Sequence, residues 1–262
     1  MSYAPHMPAT PAWPPRSAPR LFVEQVLEPG AQVHLAGGQA HYLTRVMRVG
    51  EGDAVILCDD ATGEWAARVV AAGKREVSLE AIEKLRAREQ VPDVWLCPAL
   101  LKKDRFDIVL EKVTELGAAR IQPVVTRRCV ADKLNRDRAR IIVTEAAEQC
   151  ARTALPELAD PTKLDALLRD WPADRALFFA DELGGAPAAR AFTEAGTPAA
   201  ILIGPEGGFD TAEREAIHAL PQARAITLGP RILRGETAAI AALSLWMGVA
   251  GDWRHEVGPA AG

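Results

Sequence analysis

From Asp93 onward, short apolar runs alternate with segments of helical period, and no other feature restricts the fold as much. Strand-length runs fall at 94–99, 120–125, 176–180, 199–203 and 225–228, and helix-length segments at 103–116, 136–152, 187–195, 211–219 and 236–249. In the first of these helices Phe106, Val109, Leu110, Val113 and Leu116 recur at three- and four-residue spacing, and Gly117 stands where a C-terminal cap belongs. Strands joined through helices run parallel, because a crossover returns the chain to the same end of the sheet. The expectation is an α/β domain over 93–253, its mostly parallel sheet covered by helices on both faces.

Residues 20–85 read differently. Runs at 54–58, 64–70 and 76–82 are apolar or alternating and are bounded by turn formers such as Gly50-Glu51-Gly52-Asp53. They predict a small β-barrel, interrupted by one helical segment at 39–47 that carries His41 and Arg45, with Arg48 just beyond. Asp59-Asp60 reads as a solvated turn. The charged stretch 83–91, followed by Pro92, reads as a linker, placed at 86–92. Six prolines within residues 1–19, without the basic-then-apolar order of a signal peptide, predict a disordered leader and a cytoplasmic protein. A short tail is expected over 254–262. The 262 residues suit one or two domains at roughly 150 residues each.

Charge narrows the partners. The formal net charge of -4 excludes a uniformly basic nucleic-acid binder. Yet residues 120–152 hold eight Lys/Arg against four acids, whereas 153–225 hold six against twelve, so a local basic segment adjoins the first strands of the α/β domain. The four cysteines (58, 97, 129, 150) never form a C-x-x-C pair, which disfavours zinc and disulfide scaffolds, and no metal is expected. No run of 18 apolar residues is present, so a membrane span is excluded.

Three segments carry candidate chemistry. Residues 201–210 (Ile-Leu-Ile-Gly-Pro-Glu-Gly-Gly-Phe-Asp) end an apolar strand in a glycine-rich turn. A helix follows with Asp210 as its cap and Glu213 at capping-box spacing. Ligands of open α/β sheets bind at such strand ends. The turn is neither G-x-G-x-x-G nor a P-loop, and Glu206 repels phosphate, so it suits a neutral or cationic ligand such as S-adenosylmethionine. A tight turn with no ligand is the alternative at this point. Residues 225–239 repeat the arrangement: Leu228-Gly229-Pro230-Arg231-Ile232-Leu233-Arg234-Gly235-Glu236-Thr237 feeds a nearly all-apolar helix, leaving polar groups at an interior crevice. The third segment, 148–156, offers Cys150 as a nucleophile. None of the histidines (6, 34, 41, 218, 255) is linked to it by a motif, so a buried structural cysteine is preferred. Gln149 and Arg152 are read as ligand or RNA contacts, with a helix-end cap as the alternative. Neither G-x-S-x-G nor H-E-x-x-H occurs.

Taken together, residues 202–208 and 228–238 resemble the RsmE family of SPOUT RNA methyltransferases. Lys102-x-Asp104 leading to Glu111-Lys112-x-Thr114-Glu115-Leu116-Gly117, Glu148-Gln149-Cys150-x-Arg152 with Pro156, and Arg20-Leu21-Phe22-Val23 with His41 to Arg48 extend the match from about residue 20 to 250. The resemblance implies a PUA-like β-barrel followed by a SPOUT domain with a C-terminal trefoil knot, acting as a homodimer. It further implies methyl transfer from S-adenosylmethionine to N3 of a specific uridine in the 16S ribosomal RNA of the small ribosomal subunit. Carried over by position, Ile203, Gly204, Pro205, Glu206, Gly207 and Gly208 line one side of the cofactor. Leu228, Gly229, Ile232, Leu233 and Thr237 line the other. Arg234 and Arg152 are expected to steady the uridine anion, and Glu236 to accept the proton or to hold Arg234. Phosphate contacts are expected from Arg20, Arg45, Arg48, Lys102, Arg127, Arg128 and Arg152, with Gln149 also in the RNA site. The sequence departs from the family at Asp107, where many members have glutamate, and at Gly235, where many have threonine or alanine. Three other readings stand beside this one: a methyltransferase of another rRNA nucleotide, a nicotinamide-dependent oxidoreductase, and a non-catalytic RNA-binding module. The oxidoreductase lacks its glycine-rich turn after the first strand of the α/β domain, where Cys97-Pro98-Ala99-Leu100-Leu101 stands.

Overall fold

The computed structural model describes residues 13–254. Within it the chain divides into two units, with the boundary at Glu89 and Gln90. Residues 1–12 of the expected leader and 255–262 of the expected tail lie outside the described residues. The described part of the leader is held in place. Ile56 N–H donates to Pro19 O at 2.8 Å, and the Arg68 guanidinium lies 5.4 Å from the Trp13 ring centroid.

The first unit contains strands β1 (Arg20–Phe22) and β2 (Gln32–Ala36), helix α1 (Gly37–His41) with a π-helical turn over Tyr42–Val46, and strands β3 (Ala54–Cys58), β4 (Gly63–Ala72) and β5 (Glu76–Ala87). The strands form one sheet in the order β1-β3-β4-β5-β2, antiparallel except for the β1–β3 pair. Three register shifts between β4 and β5 bend the sheet. The expected barrel is in fact a half-barrel, because β1 and β2 are its two ends and do not pair with each other. In β2, Val33 and Leu35 point into the core while Gln32, His34 and Ala36 face solvent, the period of a half-buried strand. β5 runs to Ala87, so the charged stretch read as a linker begins as strand. Asp59 is buried rather than solvated. Its carboxylate accepts from the backbone N–H of Leu27, Ala61, Thr62 and Gly63 and from the Thr62 hydroxyl, and so fastens the β3–β4 turn.

The second unit is built on β6 (Val94–Pro98), α2 (Lys103–Glu115), β7 (Arg120–Ile121), β8 (Val124–Val125), α3 (Arg136–Gln149), β9 (Glu157–Leu158), β10 (Thr162–Lys163), α4 (Leu164–Arg169), β11 (Ala176–Ala180), β12 (Ala186–Pro187), α5 (Ala188–Ala195), β13 (Ala199–Ile203), α6 (Thr211–His218), β14 (Ala223–Thr227) and α7 (Gly235–Val249). Seven of its strands form one parallel sheet in the order β12-β14-β11-β13-β6-β7-β9, while β8 pairs with β10. Both faces are covered, and β13 shows how. Ala199, Ile201 and Ile203 join a core with α2, α3, α5 and α7, while Ala200 and Leu202 join one with α4 and α6. Pro123 explains why the expected strand 120–125 is two short strands, since it has no N–H for a continuous ladder. The helix expected to reach 152 stops at Gln149, and Ala151 takes a left-handed φ of 61°.

Candidate functional site

The carboxyl ends of β11, β13 and β14 point into one cleft of about 410 Å³, within the roughly 300–1,000 Å³ of small-molecule sites. Its walls are Ala180 to Glu182 after β11, Ile203 to Gly208 after β13, and Ile226 to Leu233 in the β14 loop, closed by Gly235 and Ala238 of α7. This is where an open parallel sheet offers a binding crevice. Ten of the eleven residues expected to hold the cofactor line it: Ile203, Gly204, Pro205, Glu206, Gly207, Gly208, Leu228, Gly229, Ile232 and Leu233. Thr237 does not line it. It is exposed, because on an α-helix residues three apart share a face, and Gly235 and Ala238 take the face that meets the cleft.

The glycine-rich loop is fixed from both ends. Asp210 caps α6, accepting from Glu213 N–H, while the Glu213 carboxylate accepts from Asp210 N–H. That backbone bond, together with Arg127 at 2.8 Å, holds the Asp210 carboxyl below the usual range. Arg127 N–H donates to Glu213 Oε1, and the Arg128 guanidinium donates to Gly207 O at 2.8 Å. Gly208 has φ +65°, and a Cβ there would meet the carboxylate of Glu182. The left-handed backbone is what requires a glycine at this point, since the carboxylate is the flexible end of a side chain and can swing away. Glu182 in turn pairs with Arg214 at 2.8 Å. The buried Asp181 lies 3.1 Å from the same arginine and 3.7 Å from His218.

The remaining expected residues scatter. Arg234 is exposed at the N-cap of α7, beside the cleft wall. Glu236 has a side chain only 14% exposed, and it faces Arg105 at 3.9 Å rather than Arg234. Arg152 is buried and is not brought to the cleft. It donates to Thr114 O and Ala118 O at 2.8 and 2.7 Å, so it caps the end of α2, the alternative left open from sequence. Cys150 is exposed, not buried as expected, at the C-cap of α3. Arg20 is largely buried against Glu64, which also takes Arg86, so its guanidinium serves the fold of the first unit. Arg45 and Arg48 are exposed in that unit, and Lys102 and Gln149 are exposed in the second. Sequence reasoning missed Arg105, Asp181, Glu182 and Arg214. The strand-end rule, applied to β11, points to Asp181 and Glu182; Arg105 and Arg214 have no such signal.

The RNA methyltransferase domain family matches residues 88–247, and the RNA methyltransferase PUA domain family matches 35–82. The chain is 32% identical over 244 residues to the ribosomal RNA small subunit methyltransferase E of Bacillus subtilis, covering 86% of this chain and 94% of that one. The chain belongs to the ribosomal RNA small subunit methyltransferase E family. A Synechocystis member is 34% identical over 233 residues, covering 84% of this chain and 74% of the relative. The crystal structure of the Neisseria gonorrhoeae member bound to S-adenosyl methionine superposes with a TM-score of 0.83 at 27% identity, covering 90% of this chain and 99% of that one. As a member of the ribosomal RNA small subunit methyltransferase E family the protein is an RNA methyltransferase, which sets aside the oxidoreductase and the non-catalytic RNA-binding module. The half-barrel is its PUA-type unit. Among the described residues no helix is long and apolar enough to cross a membrane.

Proposed function

We propose that the protein transfers the methyl group of S-adenosylmethionine to N3 of a uridine in 16S ribosomal RNA. The observation that carries this reading is the cleft itself. Three strand-end loops meet around it, with Asp181, Glu182 and Glu206 among the lining residues against one cation, Arg231. Such walls suit a cationic ligand and oppose a polyphosphate. The left-handed Gly208 lets the backbone come close, so the residues present fit the donor. When bound, S-adenosylmethionine supplies the electrophilic methyl group. The β13 loop (Ile203 to Gly208) and Leu228, Gly229, Ile232 and Leu233 would hold it, with backbone donors of the β14 loop available to the adenine.

The chain's own work is alignment and charge. N3 of uridine is a weak acid and must lose its proton to attack. Arg234, at the positive end of α7, is proposed to stabilise the anion that develops, and Glu236 to accept the proton. Arg45, Arg48, Lys102, Arg127 and Arg128 are proposed to contact phosphates, which makes RNA binding salt-dependent. A trefoil knot would thread the segment leading to α7 past the β6 and β13 ends. Close packing of Gly235 on Leu101 and beside Gly204 O supports that path. A homodimer is proposed as well, and exposed Ile108 on α2 and Ile141 on α3 offer apolar surface for it. With no spanning helix among the described residues, the assignment to the cytoplasm is also a proposal. The test is transfer of labelled methyl groups onto small ribosomal subunits that lack the modification, followed by nucleoside mass spectrometry. Labelled 3-methyluridine is expected; label on any other nucleoside contradicts the assignment.

A further inference from the structure

The β13 loop of the cleft and the head of α7 are joined through a residue outside the cleft lining. Arg105, in the first turn of α2, donates from its terminal nitrogen to Glu206 Oε1 at 3.1 Å, and its Nε lies 3.9 Å from Glu236 Oε1. Glu206 belongs to the β13 loop; Glu236 opens α7 directly after Gly235 of the cleft wall. The second oxygen of Glu236 is buried and has no hydrogen-bond partner among the described residues. A carboxylate held that way depends on a nearby cation, and among the described residues Arg105 is the cation within ion-pair distance. The head of α7 has little room to adjust on the other side. A Cβ on Gly235 would lie 2.9 Å from Leu101 Cδ2 and 3.6 Å from Gly204 O.

We propose that Arg105 is a positioning residue for the methyl donor: one guanidinium serves a carboxylate of the β13 loop and one at the head of α7, and so fixes the helix head against the loop that lines the cleft. The inference rests on the donor-binding reading above. Without the cation both carboxylates lose their shared partner, and the largely buried Glu236 is left uncompensated. The head of α7 is then no longer fixed against the β13 loop. A lysine retains the charge but lacks the fork that reaches both partners at once.

The test is calorimetric titration with S-adenosylmethionine, which reads binding independently of turnover, alongside thermal midpoints. R105M is expected to weaken donor binding about tenfold, and R105K and E236Q each no more than about threefold. The double variant R105M/E236Q is expected to bind better than R105M, because the uncompensated carboxylate is gone. A role in fold stability alone predicts the reverse, with the two losses multiplying and both midpoints falling. If R105M does not fold, R105M/E236Q must fold and bind donor, or the proposal falls. Wild-type affinity in R105M, or multiplying losses in the double variant, overturns it while leaving the donor reading intact. A wild-type protein that binds no donor overturns that reading and this inference with it.

Discussion

Gly208 and Asp59 show how much single positions carry. At Gly208 an alanine would have to adopt a left-handed backbone, and the flexible carboxylate end of Glu182 would have to swing away from its Cβ. Gly208→Ala is therefore expected to weaken donor binding at least about tenfold, read by calorimetry, with a smaller fall in thermal midpoint. At Asp59 burial pushes the carboxyl up, but the bonds from Leu27, Thr62, Ala61 and Gly63 outweigh it and bring it down to about 2. A carboxyl depressed in the folded state stabilises above its unfolded value near 3.8 and loses that contribution as pH falls toward about 2. The contribution is on the order of 2 kcal/mol. Acid titration of thermal stability should show it in the wild type, and Asp59→Asn should flatten the profile between about pH 4 and 2. The same residue shows where sequence runs out. A doublet of aspartates at a turn reads as solvent-exposed until the chain places Leu27 N–H above it. Arg152 is similar, since nothing local says that the carbonyls ending α2 will surround it. The glycine-rich loop was legible because a buried strand, a Gly-Pro corner and a capping box all sit within one short stretch.

Among the elements, α7 and the turn after α1 make opposite demands. α7 is apolar on nearly all sides and packs against α2 and α5, so its polar head, Arg234 and Glu236, is fixed where the helix begins. Arg234→Ala is expected to lose methyl transfer while keeping donor affinity within about twofold, since the side chain lies outside the cleft lining. Parallel losses of both would contradict its assignment. The helical turn over Tyr42–Val46 and the residues after it leave Tyr42, Arg45, Val46, Met47 and Arg48 exposed, with no acid between Gly37 and Gly50. Replacing Arg45 or Arg48 by alanine should weaken rRNA binding and lower the salt slope by about one counterion each, measured by binding at several salt concentrations. Arg20→Ala should instead lower stability, because its partner Glu64 is buried. Long elements were readable from periodicity: β11 and β13 match their expected spans, and four of the five expected helices begin and end within about a residue of them. The two-residue strands β9, β10 and β12 had no pattern of their own, for they exist only through the neighbours they pair with. Thr237 stands apart from its motif neighbours because helical phase leaves it exposed, outside the cleft lining.

At the scale of the whole molecule, the parallel sheet explains why residues distant in sequence meet. β11, β13 and β14 are adjacent in the sheet and end at the same edge, so loops from 180–182, 203–208 and 226–233 converge without any one of them forming the site alone. Sequence revealed two of those three loops; the third followed from strand order, which no single segment displays. We propose that this convergence is the methyl-donor site. A crystal structure of the protein with S-adenosylhomocysteine tests it most directly. Ligand density is expected between the β13 and β14 loops, with the sulfur facing the Arg234 side of the cleft. Density elsewhere, or an empty cleft at saturating ligand, would contradict it.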